Sequence, residues 1–212
     1  VKLLKKHGIP FALIGRTRDK ADTIFADRDF DAAARVAVKH LTDLGHKELV
    51  FLSTSNENVE ENIGATVRSE KAAIAAAKEN GASMAIIHSD NTIQAGLDAA
   101  KEFLKKHSKC TGVVSVNAEG LIGFGRGLQR AGLNIANDVS MICISTTNAG
   151  AVAFDPPLTT VTPPANEIGA AAARELIRAL EGQDDTEPQK LFVGGLVVRE
   201  STGPARVGKL KI

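Results

Sequence analysis

The chain reads as an α/β protein with a doubly wound parallel sheet and helices on both faces. Three observations predict the layering. Short β-branched runs alternate with Ala-rich stretches of helical pattern. The runs are apolar throughout rather than at every second residue, as suits strands covered on both sides. Several helical stretches end on glycine, a residue that closes a helix at low steric cost.

Taken in order, residues 1–8 (VKLLKKHG) look like the last turns of an amphipathic helix, with no apolar region after the lysines to make a signal peptide. Phe11–Gly15 is the first strand run. The helix Ala32–Leu44 brings Val36, Leu41 and Leu44 near one face and stops at Gly45. Glu48–Ser53 is a strand, Val67–Asn80 a helix closed by Gly81, and Met84–Ser89 a strand. Ala99, Phe103 and Leu104 form the stripe of the helix Thr92–His107. Gly112–Asn117 and Val139–Ser145 are strands on either side of the helix Glu119–Ala131, which Gly132 ends. Asn166–Glu181 is a helix stopped by Gly182, residues 182–188 a polar surface loop, and Gly195–Arg199 the last run. Pro156-Pro157 and Pro163-Pro164 bracket Leu158–Thr162. Proline at that density predicts a segment crossing between lobes rather than a central strand.

Composition excludes several classes of function. The 212 residues are 43% hydrophobic, enough for a core without disulfides. Lys+Arg 26 against Asp+Glu 25 leaves no polybasic surface for nucleic acid or anionic membrane. No run approaches the ~18 apolar residues of a membrane span. Trp and Tyr are absent, so aromatic cages are not expected. Cys110 and Cys143 form no CxxC and read as buried thiols in a reducing cytoplasm. His7, His40, His46, His88 and His107 lack metal-ligand spacing. There is no P-loop and no GxSxG elbow. Gly123, Gly125 and Gly127 lie inside a helix, where they serve close packing rather than a pyrophosphate. The pairs Glu60-Glu61 and Asp184-Asp185 read as solvated loops. No catalytic residue, metal or cofactor is expected.

The strand ends carry the functional signal. They read Gly15-Arg16-Thr17, Ser53-Thr54-Ser55, Ser89-Asp90-Asn91, Asn117 and Ser145-Thr146-Thr147. Right-handed crossovers place these ends on one rim, where open α/β sheets bind ligands. Singly, each group is explained by capping the next helix. Together they point to a polar small-molecule site. None forms a nucleophile–base pair, which favours binding over catalysis.

The stretch 117–140 (NAEGLIGFGRGLQRAGLNIANDVS) resembles the N-D-x-x-A-x-G block of LacI/GalR-type transcriptional regulators. Residues 155–161 (DPPLTTV), 196–202 (LVVREST) and 40–50 (HLTDLGHKELV) resemble further landmarks of that family, in its order. The resemblance implies a two-lobed, periplasmic-binding-protein-like effector domain, here without the helix-turn-helix and the first part of the N-terminal lobe. Residues 1–28 and 161–190 would belong to the N-terminal lobe, and 29–160 and 191–212 to the C-terminal lobe. It implies effector-binding roles for Arg16, Asp29, Arg68, Asn91, Asn117 and Ser145. Ser145 stands where the family has an Asp, Ala118 where it has the Asp of N-D, and Asn91 where some members place an aromatic ring. With the carboxylate gone from 145, Arg16 and Arg68 without neighbouring carboxylates would suit an anionic sugar acid or phosphate.

The family's dimer contact implies Ile122, Phe124 and Phe154 as exposed anchors; core positions are the alternative for the two phenylalanines. The expected function is the effector-binding and dimerisation domain of a cytoplasmic repressor, reaching operator DNA through a helix-turn-helix absent from this chain. The alternative is an exported solute-binding protein of a sugar transport system.

Overall fold

The computed structural model describes residues 1–17, 23–60, 64–183, 187–208 and 210. Along the chain run α1 (Lys2–Lys6), β1 (Ala12–Ile14), β2 (Ile24–Arg28), α2 (Phe30–Asp43), β3 (Glu48–Ser53), α3 (Asn56–Glu60), α4 (Gly64–Glu79), β4 (Ser83–His88), α5 (Ile93–Lys106), β5 (Gly112–Ser115), α6 (Ala118–Arg130), β6 (Ser140–Cys143), α7 (Asn148–Val152), β7 (Thr159–Thr162), α8 (Ala165–Leu180), β8 (Gln189–Phe192) and β9 (Gly195–Val197). They divide into two compact units, 1–29 with 163–194 and 30–162 with 195–212.

The larger unit holds a six-stranded sheet in the order β4-β3-β5-β6-β7-β9. Its first five strands are parallel. β3 shows why the runs are apolar throughout: Leu49 and Phe51 enter the layer with α2 and α4, while Val50 and Leu52 enter the layer with α5 and α6. The first layer is lined by alanine, with Ala33, Ala34 and Ala37 of α2 facing Ala72, Ala73 and Ala76 of α4. The second is bulkier and packs Phe103 edge-on against Phe124 at 5.3 Å. Each fully buried side chain of that size contributes about 1.5–3 kcal/mol. The glycine stops are real: Gly81 and Gly132 adopt φ of 68° and 82°, and the residue after each donates back to Ala77 and Leu128.

Two expectations for this unit are corrected. Leu158–Thr162 does contain a central strand, since β7 lies between β6 and β9. The prolines flank the paired residues, so no ladder donor is lost. The last run is not parallel: β9 lies antiparallel to β7 at the sheet edge.

The glycine cluster of α6 has the packing role expected of it. A side chain at Gly123 would collide with the carbonyl of Ile93, and one at Gly96 with the carbonyl of Gly120. α5 and α6 therefore approach backbone to backbone.

The smaller unit contains a parallel three-stranded sheet, β1-β2-β8, with α8 packed on Ala26 through Ile168, Ala171 and Ala172. β2 and β8 were not anticipated. Glu175 of α8 is buried beneath the sheet end, where Lys190 meets it at 2.9 Å and the Glu187 amide donates to it at 3.1 Å. Both thiols are buried, and burial pushes Cys110 up to about 11, so it is inert at neutral pH. Glu61, Asp184 and Asp185 lie outside the described residues.

Two histidines clamp the C-terminal segment of the larger unit. His46 bonds Thr111 Oγ1 at 2.7 Å and the Gly203 carbonyl at 3.0 Å, and His40 bonds Thr202 Oγ1 at 3.0 Å. A carbonyl only accepts, so His46 Nε2 carries the proton. Burial lowers both histidines below their ordinary 6.5. The unfolded chain therefore takes up protons that the fold resists. Stability from this clamp is expected to be full above pH 6.5 and to fall as acidification passes through the lowered folded values. Thermal denaturation at pH 7.5 and 5.5 checks the sign. A melting temperature that rises on acidification would contradict it.

Candidate functional site

In the larger unit the ends of β4, β3, β5 and β6 lie side by side, and Asn117 gathers them. Its backbone leaves β5 in an extended conformation and its side chain caps α6, Oδ1 accepting from the Gly120 amide at 2.8 Å. Its Nδ2 donates toward the carbonyls of Ser89 (2.8 Å), Asp90 (3.1 Å) and Ser53 (3.4 Å). The residue is 1% exposed. Ser145, past the end of β6, donates its hydroxyl to the carbonyl of Val116, next to Asn117. Asn91 is exposed at the mouth of α5, with Oδ1 accepting from the Glu119 amide at 3.2 Å.

Capping therefore accounts for part of the rim. Thr92, Asn117 and Thr147 each cap the helix that follows them. The polar strand ends are first a device for turning strands into helices, and the Asn117 amide is committed to it.

A cluster not anticipated from the sequence stands beside these residues. Glu70 of α4 accepts the Ser53 hydroxyl at 2.5 Å. His88, the last residue of β4 and the register partner of Ser53, lies 3.6 Å from the same carboxylate oxygen. Its Nδ1 donates to the Thr54 carbonyl at 3.2 Å. Thr54 and Thr66 hydroxyls pair at 3.0 Å. A glutamate inside an Ala-rich helix reads as a solvated face; only the packing of α4 on the ends of β3 and β4 brings it to the rim.

Arg68 lies half-buried on α4, its guanidinium over Gly64. Arg16 and Asp29 belong to the smaller unit. Arg16 follows β1 and forms an ion pair with Asp27 of β2, Nε to Oδ2 at 3.3 Å, with both side chains almost wholly buried. This corrects the expectation of an arginine without a carboxylate beside it. Asp29 follows β2, and its amide donates to the Phe192 carbonyl at 2.8 Å. Phe124 and Phe154 are corrected too. They are 0% and 6% exposed and belong to the core under α5 and α6, not to the surface. The ring of Phe154 fills the space that a side chain at Gly125 would need. Ile122 is half-buried against the same core. Among the described residues no group of three His, Cys, Asp or Glu could hold a metal ion, and no helix is long and apolar enough to cross a membrane.

Residues 38–202 match the model of the periplasmic binding protein-like domain. The chain belongs to that family. Within it the chain is a LacI/GalR regulator-like core domain. It is 30% identical over 205 residues to the HTH-type transcriptional regulator MalR of Streptomyces coelicolor, covering 95% of this chain and 58% of that protein. It is 30% identical over 216 residues to the HTH-type transcriptional regulator AglR of Rhizobium meliloti, covering 97% and 58%. The chain thus spans less than two thirds of these relatives. The structure of a LacI family regulator from Enterococcus faecium with bound ribose superposes with a TM-score of 0.77 at 26% identity, over 97% of this chain and 74% of that one. A LacI family regulator from Bifidobacterium animalis gives 0.84 at 22% identity, over 97% and 73%, and shares the fold. These relatives are named as transcriptional regulators, and none of them as a transport protein, which favours the regulator reading over the solute-transport alternative.

Proposed function

We propose that this chain is the effector-binding and dimerisation domain of a cytoplasmic DNA-binding repressor. What carries the reading is the gathering of the ends of β3, β4 and β5 at Asn117, with Ser145 past β6 bonded to the neighbouring Val116, in a chain whose relatives are regulators. The effector is a small hydroxyl-rich molecule, and one solved relative holds ribose. It sits over the strand ends of the larger unit, with Asn91, Ser145 and Arg68 at its edge. Binding favours one of two conformations, and the helix-turn-helix after which the relatives are named engages operator DNA in only one of them. A coupling of about 1–3 kcal/mol, or 5–150-fold, is ordinary for such a switch.

Thermal denaturation against pentoses, hexoses, disaccharides and their acid or phosphate counterparts tests the reading. One class is expected to raise the melting temperature by about 5–10 °C at a hundredfold excess over its dissociation constant. It should also shift the amide resonances of Asn91 and Ser145. A panel that leaves both unmoved removes the proposal.

The dimer surface is proposed on the outer side of α5, α6 and α7, where Ile93 and Val152 are exposed and Ile122 is half-buried. Ile122→Asp and Val152→Asp are expected to sediment as monomers. Val152 is 57% exposed, so its variant is expected to keep the fold while removing the apolar patch. An unchanged dimer in Val152→Asp would place the contact elsewhere.

A further inference from the structure

We infer that Glu70 is a specificity determinant of the proposed effector site: its carboxylate accepts hydroxyl hydrogens from a neutral polyhydroxy effector and repels anionic ones. The inference rests on the reading of the strand ends as that site, and it concerns residues outside the positions matched to the LacI/GalR motifs.

Four observations carry it. The carboxylate is fixed in place, because Oε1 accepts the buried Ser53 hydroxyl. It is poised at the rim: its side chain is 14% exposed, beside His88 at 28%, on the ends of two neighbouring strands. Its second oxygen accepts no hydrogen bond among the described residues, and a carboxylate has acceptor sites to spare for two hydroxyls. Finally, Ser145, at the same rim, has its hydroxyl turned to the Val116 carbonyl and supplies no charge. Glu70 adds a fixed, hydroxyl-accepting carboxylate to the rim from the helix side, where the strand side offers the exposed Asp90. An anion there would face the carboxylate directly.

The test titrates the 212-residue chain calorimetrically with ribose, glucose and maltose, and with ribose 5-phosphate and glucuronate as their anionic counterparts, following amide shifts. The wild type is expected to bind a neutral member and reject its anionic partner. Glu70→Gln keeps an acceptor for Ser53, and so keeps the fold. It should bind the neutral sugar about 10- to 100-fold more weakly, as expected for losing hydrogen bonds to a charged acceptor. It should also narrow the gap to the anionic partner. Glu70→Asp, which keeps the charge, should retain the wild-type order of preference. A wild type that prefers an anionic member, or a Glu70→Gln variant with unchanged affinity and selectivity while Asn91 and Ser145 still shift, overturns the role of Glu70 and leaves the effector site standing. Binding that shifts resonances only away from the strand ends, or no binding by any probe, overturns the site reading and this inference with it.

Discussion

Replacing Asn117 with alanine is expected to destabilise the larger unit by about 3 kcal/mol and to lower its melting temperature by about 6–12 °C. Removing a helix N-cap costs about 0.5–2 kcal/mol. Here the same side chain also serves the carbonyls of Ser89 and Ser53 in a buried setting, and that of Asp90 in a part-buried one. Stripping their donor takes the side-chain partner from the buried Ser89 and Ser53 carbonyls, at about 1–3 kcal/mol for the group, while the Asp90 carbonyl keeps the Thr92 amide. Asn117→Asp separates the two roles. It keeps an acceptor for the Gly120 amide but has no amide donor, and it points an anion at three carbonyls. It should fall at least as far as the alanine variant. A melting temperature within about 2 °C of wild type for both would mean that the strand ends hold together without this residue.

The second large effect is expected at Gly123. A methyl there would enter the carbonyl of Ile93, which is backbone and cannot rotate aside. Relief requires α5 and α6 to separate, and with them the layer containing Phe103 and Phe124. Gly123→Ala is expected to cost about 3 kcal/mol, the upper range for overpacking. Gly169→Ala is the contrast. It lies within α8 with no atom near enough to obstruct a methyl, so it should gain about 0.5–1 kcal/mol in helix propensity. Denaturant melts of the two variants should move in opposite directions. Equal behaviour would show that the helix spacing is not set by the glycine.

The larger unit was legible because its strands are buried on both faces. Runs such as Glu48–Ser53 then need no alternation to be recognised, and glycines with positive φ mark the helix ends. β2 was hidden because two of its five residues are Asp27 and Arg28. Asp27 is buried beside an ion-pair partner, Arg16, that follows a different strand. β8 was hidden by its polar sequence and the loop before it; its place follows from Lys190 meeting Glu175 across a long stretch of chain. Polar strand ends announced the rim, yet not which of them are free to act. Asn117 is occupied with the protein's own backbone. Glu70, which no motif contains, becomes visible only when α4 is laid against Ser53 and His88.

The pairing of β2 with β8 has a consequence for synthesis. Phe25–Arg28 leave the ribosome about 160 residues before the strand that completes their sheet. At about 5–20 residues per second the nascent smaller unit waits about 10–30 s, while the larger unit already has most of its strands. Throughout that delay Phe25 and its neighbours have an unfilled edge, open to chaperones or to mispairing with other nascent chains. Slow codons placed within residues 163–188 would lengthen this vulnerable interval, and the yield of folded protein should fall accordingly.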